Sequence, residues 1–453
     1  MRGQSSPRSS ACLPRHGRRA REDLFLLLHS LSLLRRPEAE RDEAGGLPLR
    51  RVGRLVAKGK PTGTRTGRIV ILGAGLAGLT TALALARHAI PSTIVERAET
   101  LDEVGAGLQL SPNALRILDR LDCLEAVSER AVAASAVELR DGRTGRLLAA
   151  VPVGSGDDVA AYLSVHRADL QAVLADAVRR EPLIELELGE ACLGIDETAD
   201  GVVLHSWSGR EERVHACDLL IAADGVNSFV ADHHDEKPAR FADAVAWRGQ
   251  VSGPLAREFS GRARGITAWL GPRRHAVAYP IRSGEVVNLV LAEKVRSPDD
   301  ANRQRTLDAY RDWAPDLASL IANANDLTPW PLKVTPSERR WVLGDGRTLL
   351  IGDAAHALLP YAAQGAAMAL EDGYVLAGII ASASDLLTVG PAFERARRGR
   401  IDRVRKRASF HRFVYHLPRP FSLARDAVMA ATPKARLRDQ LGWLYDWTPP
   451  GAA

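Results

Sequence analysis

Four stretches of the chain are predominantly apolar, and each ends on similar punctuation. RIVIL (68–72) runs into a glycine turn, and STIVE (92–96) ends in an acid. CDLLIA (217–222) leads to Asp224-Gly225, and TLLI (348–351) leads to Gly352-Asp353. Short β-branched runs with no polar face are expected of strands buried on both sides, as in a parallel sheet. Between 241 and 340 the pattern changes to alternation, in AVAWRGQV, ITAWL, HAVAYPI and VVNLVLA, punctuated by glycine and proline. That period of two predicts a mainly antiparallel sheet, followed by a polar helix around 301–322. The hairpin-like VELRDGRTGRLLAAV (137–151) is expected in the same layer. Ile401, Val404 and Ala408, spaced by three and four within a basic stretch at 392–417, predict a long helix docked by one apolar stripe with its arginines in solvent.

At 453 residues the chain has material for two or three domains, and its 46% hydrophobic and 26% charged residues are those of a globular enzyme. The net charge of +6 would suggest a polyanion partner. However, residues 1–67 hold fifteen Arg or Lys against six Asp or Glu, which leaves −3 for the remainder. Nucleic-acid binding by the folded body is therefore not expected. The leader itself reads as a disordered or non-native extension, a targeting segment or a partner-binding helix. Its apolar run LFLLLHSLSLL (24–34) is too short for a bilayer span of about 20 residues. No integral membrane segment is expected. The four cysteines are scattered without a CxxC pair, which fits a reducing cytoplasm, and the histidines offer too few companions for a metal site.

The first strand carries the sharpest local signal. GAGLAG (73–78) follows RIVIL and opens a helical pattern. Gly73 permits the tight turn, Gly75 lets a pyrophosphate approach the backbone, and Gly78 lets the helix sit close on the strand. The helix start supplies free N–H groups to phosphates. Glu96 closes the next strand, 23 residues after Gly73, where a carboxylate can accept from ribose hydroxyls. This is an adenine-dinucleotide pattern that does not by itself separate NAD from FAD. The glycine-bearing ends of three strands, at Gly73, Asp224-Gly225 and Asp353, can converge on one extended ligand.

In order along the chain stand GAGLAG with Glu96-Arg97, VGAGLQLSPNALRIL (104–118), HRADL (166–170), DLLIAADGVNS (218–228), AVAWRG (244–249), HAVAYPIRSGEVVN (275–288), GDAAHALLPYAAQGAAMALED (352–372) and YHL…WLYDW. Together they resemble the single-component flavoprotein monooxygenases typified by p-hydroxybenzoate hydroxylase. The resemblance covers about 68–450 and is nearest the salicylate hydroxylase, 3-hydroxybenzoate 6-hydroxylase and 6-hydroxynicotinate 3-monooxygenase branch. It implies an α/β chain with a Rossmann-like FAD-binding domain in two parts (68–240 and 341–383), an inserted antiparallel substrate domain (241–340) and C-terminal helices (384–453). It also implies that NADH or NADPH reduces FAD, that O2 adds at flavin C4a, and that the hydroperoxide hydroxylates a small aromatic substrate. It leaves a homodimer open.

For the cofactor, the resemblance implies that Asp353 bonds the ribityl chain, that Arg167 reaches phosphates or ribityl, and that Asp224-Gly225 serves FAD and the visiting nicotinamide nucleotide. Ala77, Arg97, Gly107 and Gln109 are expected beside them. Gly365, Ala366 and Ala367 would let the isoalloxazine edge lie on a helix N-terminus, whose positive end favours the anionic reduced flavin. Two family positions differ: Ala231 stands where arginine is frequent, and Ala367 where asparagine is.

At the substrate, Tyr361 and Trp247 are the expected contacts. Trp247 is read as a wall stacking on a planar ring, and Tyr361 as a hydrogen-bond donor or proton relay, with packing as its alternative. Asp243 and Trp247 hold positions where relatives carry His and Tyr, which makes Asp243 a rim carboxylate or a weak base. His275 and Tyr279 alternate onto one face, and a strand histidine of this kind is read first as structural. His356 is expected to cap its loop. A flavin epoxidase or natural-product hydroxylase, and a flavin carrier or sensor without turnover, remain the competing readings.

Overall fold

A computed structural model describes residues 67–101, 106–153, 162–198 and 200–450. The leader reading therefore concerns residues outside those described, Gly67 excepted. The elements that place the site are β1 (Ile69–Leu72), α1 (Leu76–Ala86), β2 (Ser92–Glu96), β3 (Leu219–Ala222), β4 (Arg240–Ser252), β5 (Gly265–Gly271), β6 (Arg274–Ile281), β7 (Val286–Lys294), β8 (Asn325–Val334), β9 (Thr348–Leu350), α2 (Gly365–Ser382) and α3 (Val389–Tyr415).

The unbroken apolar runs form one six-stranded sheet in the order Val342–Leu343, β9, β3, β1, β2, Ile184–Leu188. The inner pairings are all parallel, and only the Val342–Leu343 edge is antiparallel. Every residue of β1 and β3 is buried, as strands covered on both faces require. Helix α1 lies against this sheet with ten of its residues buried, and α2 crosses it. Both contacts need missing side chains. A Cβ on Gly78 would sit 1.9 Å from the Gly73 carbonyl oxygen, and one on Gly373 would sit 2.8 Å from the Thr81 nitrogen.

The alternating segments build a seven-stranded sheet in the order β8, β4, β7, β6, β5, Ala136–Asp141, Leu147–Pro152. All its pairings are antiparallel except Ala136–Asp141 with β5, so the hairpin lies in this layer. One face packs against helices through Val245, Trp247, Trp269 and Leu289. The single polar helix expected at 301–322 is two helices, Arg303–Tyr310 and Pro315–Ala322. Pro315 lacks the N–H an uninterrupted helix would use, and it pushes Ala314 to extended geometry (ψ 138°).

A buried charge cluster ties α2 to α3. Arg397 donates from Nε to Asp372 Oδ1 (2.8 Å) and from Nη1 to Glu371 Oε2 (2.6 Å). Arg400 forks onto both oxygens of Glu371 (2.6 and 2.7 Å), and Asn113 donates to the same carboxylate (2.7 Å). The Ile401, Val404 and Ala408 stripe docks as expected, but Arg397 does not lie on a solvated face. It is buried because two acids on α2 pair with it. Asp372 Oδ2 also accepts from Gly352 N (3.0 Å) and meets His356 Nε2 at 2.5 Å, so His356 anchors its loop through Asp372. Residues near the C-terminus close the cluster. Arg116 donates to the carbonyls of Tyr445 and Trp447, and Arg400 to those of Trp443 and Leu444.

Burial pushes the Asp372 carboxyl upward, but His356 and Arg397 outweigh it and hold the group down at about 2. Its stabilising contribution is therefore complete above the ordinary aspartate range near pH ~4 and is lost as pH falls through about 2. Urea midpoints of wild type and Asp372→Asn should converge as pH drops across that window; a constant gap would contradict the pairing. Gly78→Ala should cost about 3 kcal/mol or more in unfolding measurements, because the Gly73 carbonyl oxygen it meets is part of the backbone and cannot move aside.

Candidate active site

The carboxyl ends of β1, β3 and β9 and the start of α2 face the seven-stranded sheet across a cavity of about 330 Å³. On one side lie Gly75 and Ala77 after β1, Gly225 after β3, Asp353 after β9, and Gly365 and Ala366 of α2. Gly107, Gln109 and Arg167 extend that side. The opposite wall presents Ala246 and Arg248 of β4, His275, Val277 and Tyr279 of β6, and Val290 and Ala292 of β7. A Cβ added to Gly75, Gly225 or Gly365 would meet nothing within 4 Å. Three separate backbones thus open onto one space, which is the cradle a long dinucleotide needs.

Other expected cofactor residues support this lining or lie apart from it. Gly73 (φ 105°) makes the turn, its N–H donating to Val95 O at 2.8 Å. Gly78 holds α1 against that turn. Glu96 accepts from the N–H groups of Ala74 (2.7 Å) and Ala98 (2.9 Å), which fixes its carboxylate at the glycine loop. Asp224 accepts from Val230 N (3.2 Å), and burial raises its carboxyl despite hydrogen bonds from Ser228 and Val230. Ala367 faces the core, and Arg97 is exposed. Gly107 is clamped by the opposite sheet: its N–H donates to Asn288 Oδ1 (2.7 Å), and its carbonyl accepts from Tyr279 OH (2.6 Å). Tyr162 OH donates to Gln109 Oε1 at 3.0 Å.

The expectation for Trp247 is overturned. Its ring lies in the core on the far face of the seven-stranded sheet, and its Nε1 donates to Glu293 Oε1 at 3.1 Å. The pleat turns Ala246 and Arg248 to the cavity instead. Asp243 is exposed in a left-handed kink (φ 51°), where the β4–β8 register shifts between Phe241 and Val245.

Tyr361 sits in a turn of 3-10 helix, Pro360–Ala362, between cavity-lining Pro360 and Ala363. Its hydroxyl is buried with no hydrogen-bond partner among the described residues, and burial pushes it up to about 12 against the opposing effect of Arg412. The ring packs 5.2 Å from His275 and 5.6 Å from His416, centroid to centroid. His275 Nδ1 lies 3.0 Å from His416 Nε2. Burial lowers both imidazoles. His275 is carried well below the ordinary range, and His416, helped by Arg412, Lys294 and Arg274, is lowered to about 4. Both rings are therefore neutral near neutral pH.

Arg248 lies within AVAWRG, a motif that by itself assigns it no place. Alternation places His275 and Tyr279 on one face, whereas His416 joins them only through the fold. The HAVAYPI alternation was the available signal for the first pair; nothing local announces the second.

Residues 66–385 match the FAD binding domain family. The chain is 34% identical over 393 residues to 3-amino-4-hydroxybenzoate 2-monooxygenase of Streptomyces cremeus, across 84% of this chain and 95% of that protein. It is 31% identical over 393 residues to 3-hydroxybenzoate 6-hydroxylase 1 of Aquipseudomonas alcaligenes, across 83% and 97%. Klebsiella pneumoniae HpxO complexed with FAD and uric acid has a similar fold, with a TM-score of 0.70 at 22% identity over 83% of this chain and 96% of that one. A salicylate hydroxylase substrate complex gives 0.69 at 24% identity over 84% and 96%. The chain belongs to the FAD binding domain family, with the p-hydroxybenzoate hydroxylase-like fold that the resemblance implied. It is an FAD-dependent aromatic-ring monooxygenase.

The open space at Gly75 yields a clear expectation. Gly75→Val should fold, since its Cβ meets no protein atom, yet should weaken FAD binding at least about tenfold by filling the cradle. Flavin fluorescence titration against thermal unfolding separates the two effects; unchanged FAD affinity would remove Gly75 from the cofactor path.

Proposed function

We propose that the enzyme hydroxylates a small phenolic or aminophenolic carboxylic acid, using NADH or NADPH and O2. The observation carrying this reading is the two-sided cavity: open glycine backbones on one side, and on the other a largely apolar wall that bears Arg248, His275 and Tyr279. When bound, FAD takes electrons from the nicotinamide and activates O2 for oxygen transfer to the ring. Gly75, Gly225 and Asp353 would hold its extended part. Gly365 and Ala366 leave the first turn of α2 bare, so that its free N–H groups and positive dipole end can meet an anionic ligand.

Across the cavity, Arg248 is the group that orients a carboxylate, and its guanidinium also lies 4.8 Å over the Trp330 ring. Ala246, Val277, Val290 and Ala292 keep the ring's surroundings dry. The relatives named for 3-amino-4-hydroxybenzoate and 3-hydroxybenzoate support an aromatic acid as the substrate class. We place the enzyme in the cytoplasm. Cys123, Cys192 and Cys217 are all free, and no described helix is long and apolar enough to cross a membrane.

The test supplies FAD-loaded enzyme with NADH or NADPH and a panel of hydroxybenzoates and aminohydroxybenzoates. Stimulated nicotinamide oxidation with oxygen from labelled O2 appearing in the product is expected. A flavin-loaded enzyme that no member stimulates, and that oxygenates none, would be a carrier instead. Arg248→Leu should raise KM for the acid substrate about 10- to 100-fold, the worth of a charged hydrogen bond. The corresponding neutral phenol should be little affected. Equal effects on both compounds would show that Arg248 does not read the carboxylate.

A further inference from the structure

A phenol becomes a better nucleophile for oxygen transfer once it loses its proton, so the cavity needs a base and that proton needs an exit. The two groups nearest this role by sequence do not supply it. Asp243 is exposed in its kink, and Trp247 faces the opposite core. His275 lines the cavity itself. Its Nδ1 is engaged with His416 Nε2 at 3.0 Å, and its Nε2 makes no hydrogen bond among the described residues. His416, just past the end of α3, is half-buried, so the pair spans from the cavity wall toward the protein exterior.

We propose that His275 accepts the phenol proton of the bound aromatic acid at Nε2 while its Nδ1 proton passes to His416 Nε2, and that His416 releases a proton from Nδ1 to solvent. The proposal deepens the reaction assigned above and rests on it. In this step the phenol O–H bond breaks and an N–H bond forms on His275. The Nδ1–H bond of His275 is exchanged for an Nε2–H bond on His416, and water takes the His416 Nδ1 proton. The net change is phenol to phenolate plus one proton in solvent. Return of a proton to the hydroxylated ring along the same path restores both tautomers.

The surroundings favour passage over storage. His416 faces Arg274 of β6, Lys294 of β7 and Arg412 of α3, and these cations, with burial, oppose a resident charge on it. His275 is covered by Tyr361 from the loop before α2, by Tyr415 from α3 (ring centroids 5.7 Å apart) and by Tyr310, whose hydroxyl donates to the His275 carbonyl at 2.9 Å. Among the described residues no carboxylate lies against either imidazole, so none of them traps the pair as imidazolium. His411 supports the arrangement from the same helix turn. Its Nδ1 lies 3.0 Å from the Tyr361 carbonyl, and its ring stacks on Tyr415. Tyr361 is a positioning residue here, since its ring packs against both imidazoles.

The test reads ionisation of bound 3-hydroxybenzoate and 3-amino-4-hydroxybenzoate by ultraviolet difference spectra. It uses oxidised FAD-loaded enzyme without nicotinamide, from about pH 5 to pH 9. Wild type should hold the phenolate in at least one complex well below the pH at which the free phenol ionises. His275→Gln should shift that transition upward by at least about tenfold in proton affinity and cut the hydroxylation rate about 100-fold, the usual scale for a positioned base. Substrate Kd should stay within about threefold. His416→Gln can accept the Nδ1 hydrogen bond but not carry a proton, so it should keep FAD and substrate while slowing stopped-flow phenolate formation about tenfold or more. Thermal melting with bound FAD confirms that both variants fold. Neutral phenols in every wild-type complex at pH 9, or the same transition in wild type and His275→Gln, would overturn the relay even if product forms. A wild type that ionises the phenol but yields no product would overturn the hydroxylation reading and leave the relay standing.

Discussion

Two adjacent acids on α2, Glu371 and Asp372, are held in the dry interior by Arg397, Arg400 and His356. A buried carboxylate without such partners would be costly, and removing one partner of a buried pair commonly costs about 3–5 kcal/mol. The arrangement is demanding because it fixes several elements at once. Asp372 grips the Gly352 N–H, immediately before Asp353, while Glu371 grips α3 and, through Asn113, the helix at Pro112–Arg120. The bare first turn of α2 and the Asp353 loop are therefore presented to the cavity at one fixed spacing. The charges stand behind the reaction site, but they set where its floor lies.

The second sheet is brought to that floor by neutral hydrogen bonds. Tyr279 and Asn288 clamp both backbone groups of Gly107, and a Cβ there would lie 2.6 Å from the Tyr279 ring. Ser164 Oγ donates to the Pro280 carbonyl at 2.6 Å, and His166 Nε2 lies 3.1 Å from Gln250 Nε2. The cavity is thus bounded by two rigid sheets with polar pins between them, which suits a site that must orient a flat ring against a flat cofactor and admit little water.

The parts of this site that are legible in sequence are those where backbone must come close to a ligand. Gly73, Gly75 and Gly78, the Asp224-Gly225 turn and the Gly365-Ala366 start each announce a local geometry that few other residues permit. Side-chain direction was harder to read. Alternation establishes that 244, 246 and 248 share a face, and that 245 and 247 share the other; it does not say which face sees the cofactor. A helical partner cluster decided against Trp247. Pairings remote in sequence were also hidden. Arg397 looks like one of many arginines on a basic helix until its acids, 25 and 26 positions away, are placed beneath it. His416 lies 141 positions from His275, and only the fold joins them.

The carbonyls of residues 443–447 act as a lid on the Arg116 and Arg400 guanidinium groups, and the Trp447 ring lies 4.8 Å from Arg400 and 5.7 Å from Arg397. The floor that FAD meets is therefore complete only once this aromatic plug has docked over Arg397 and Arg400.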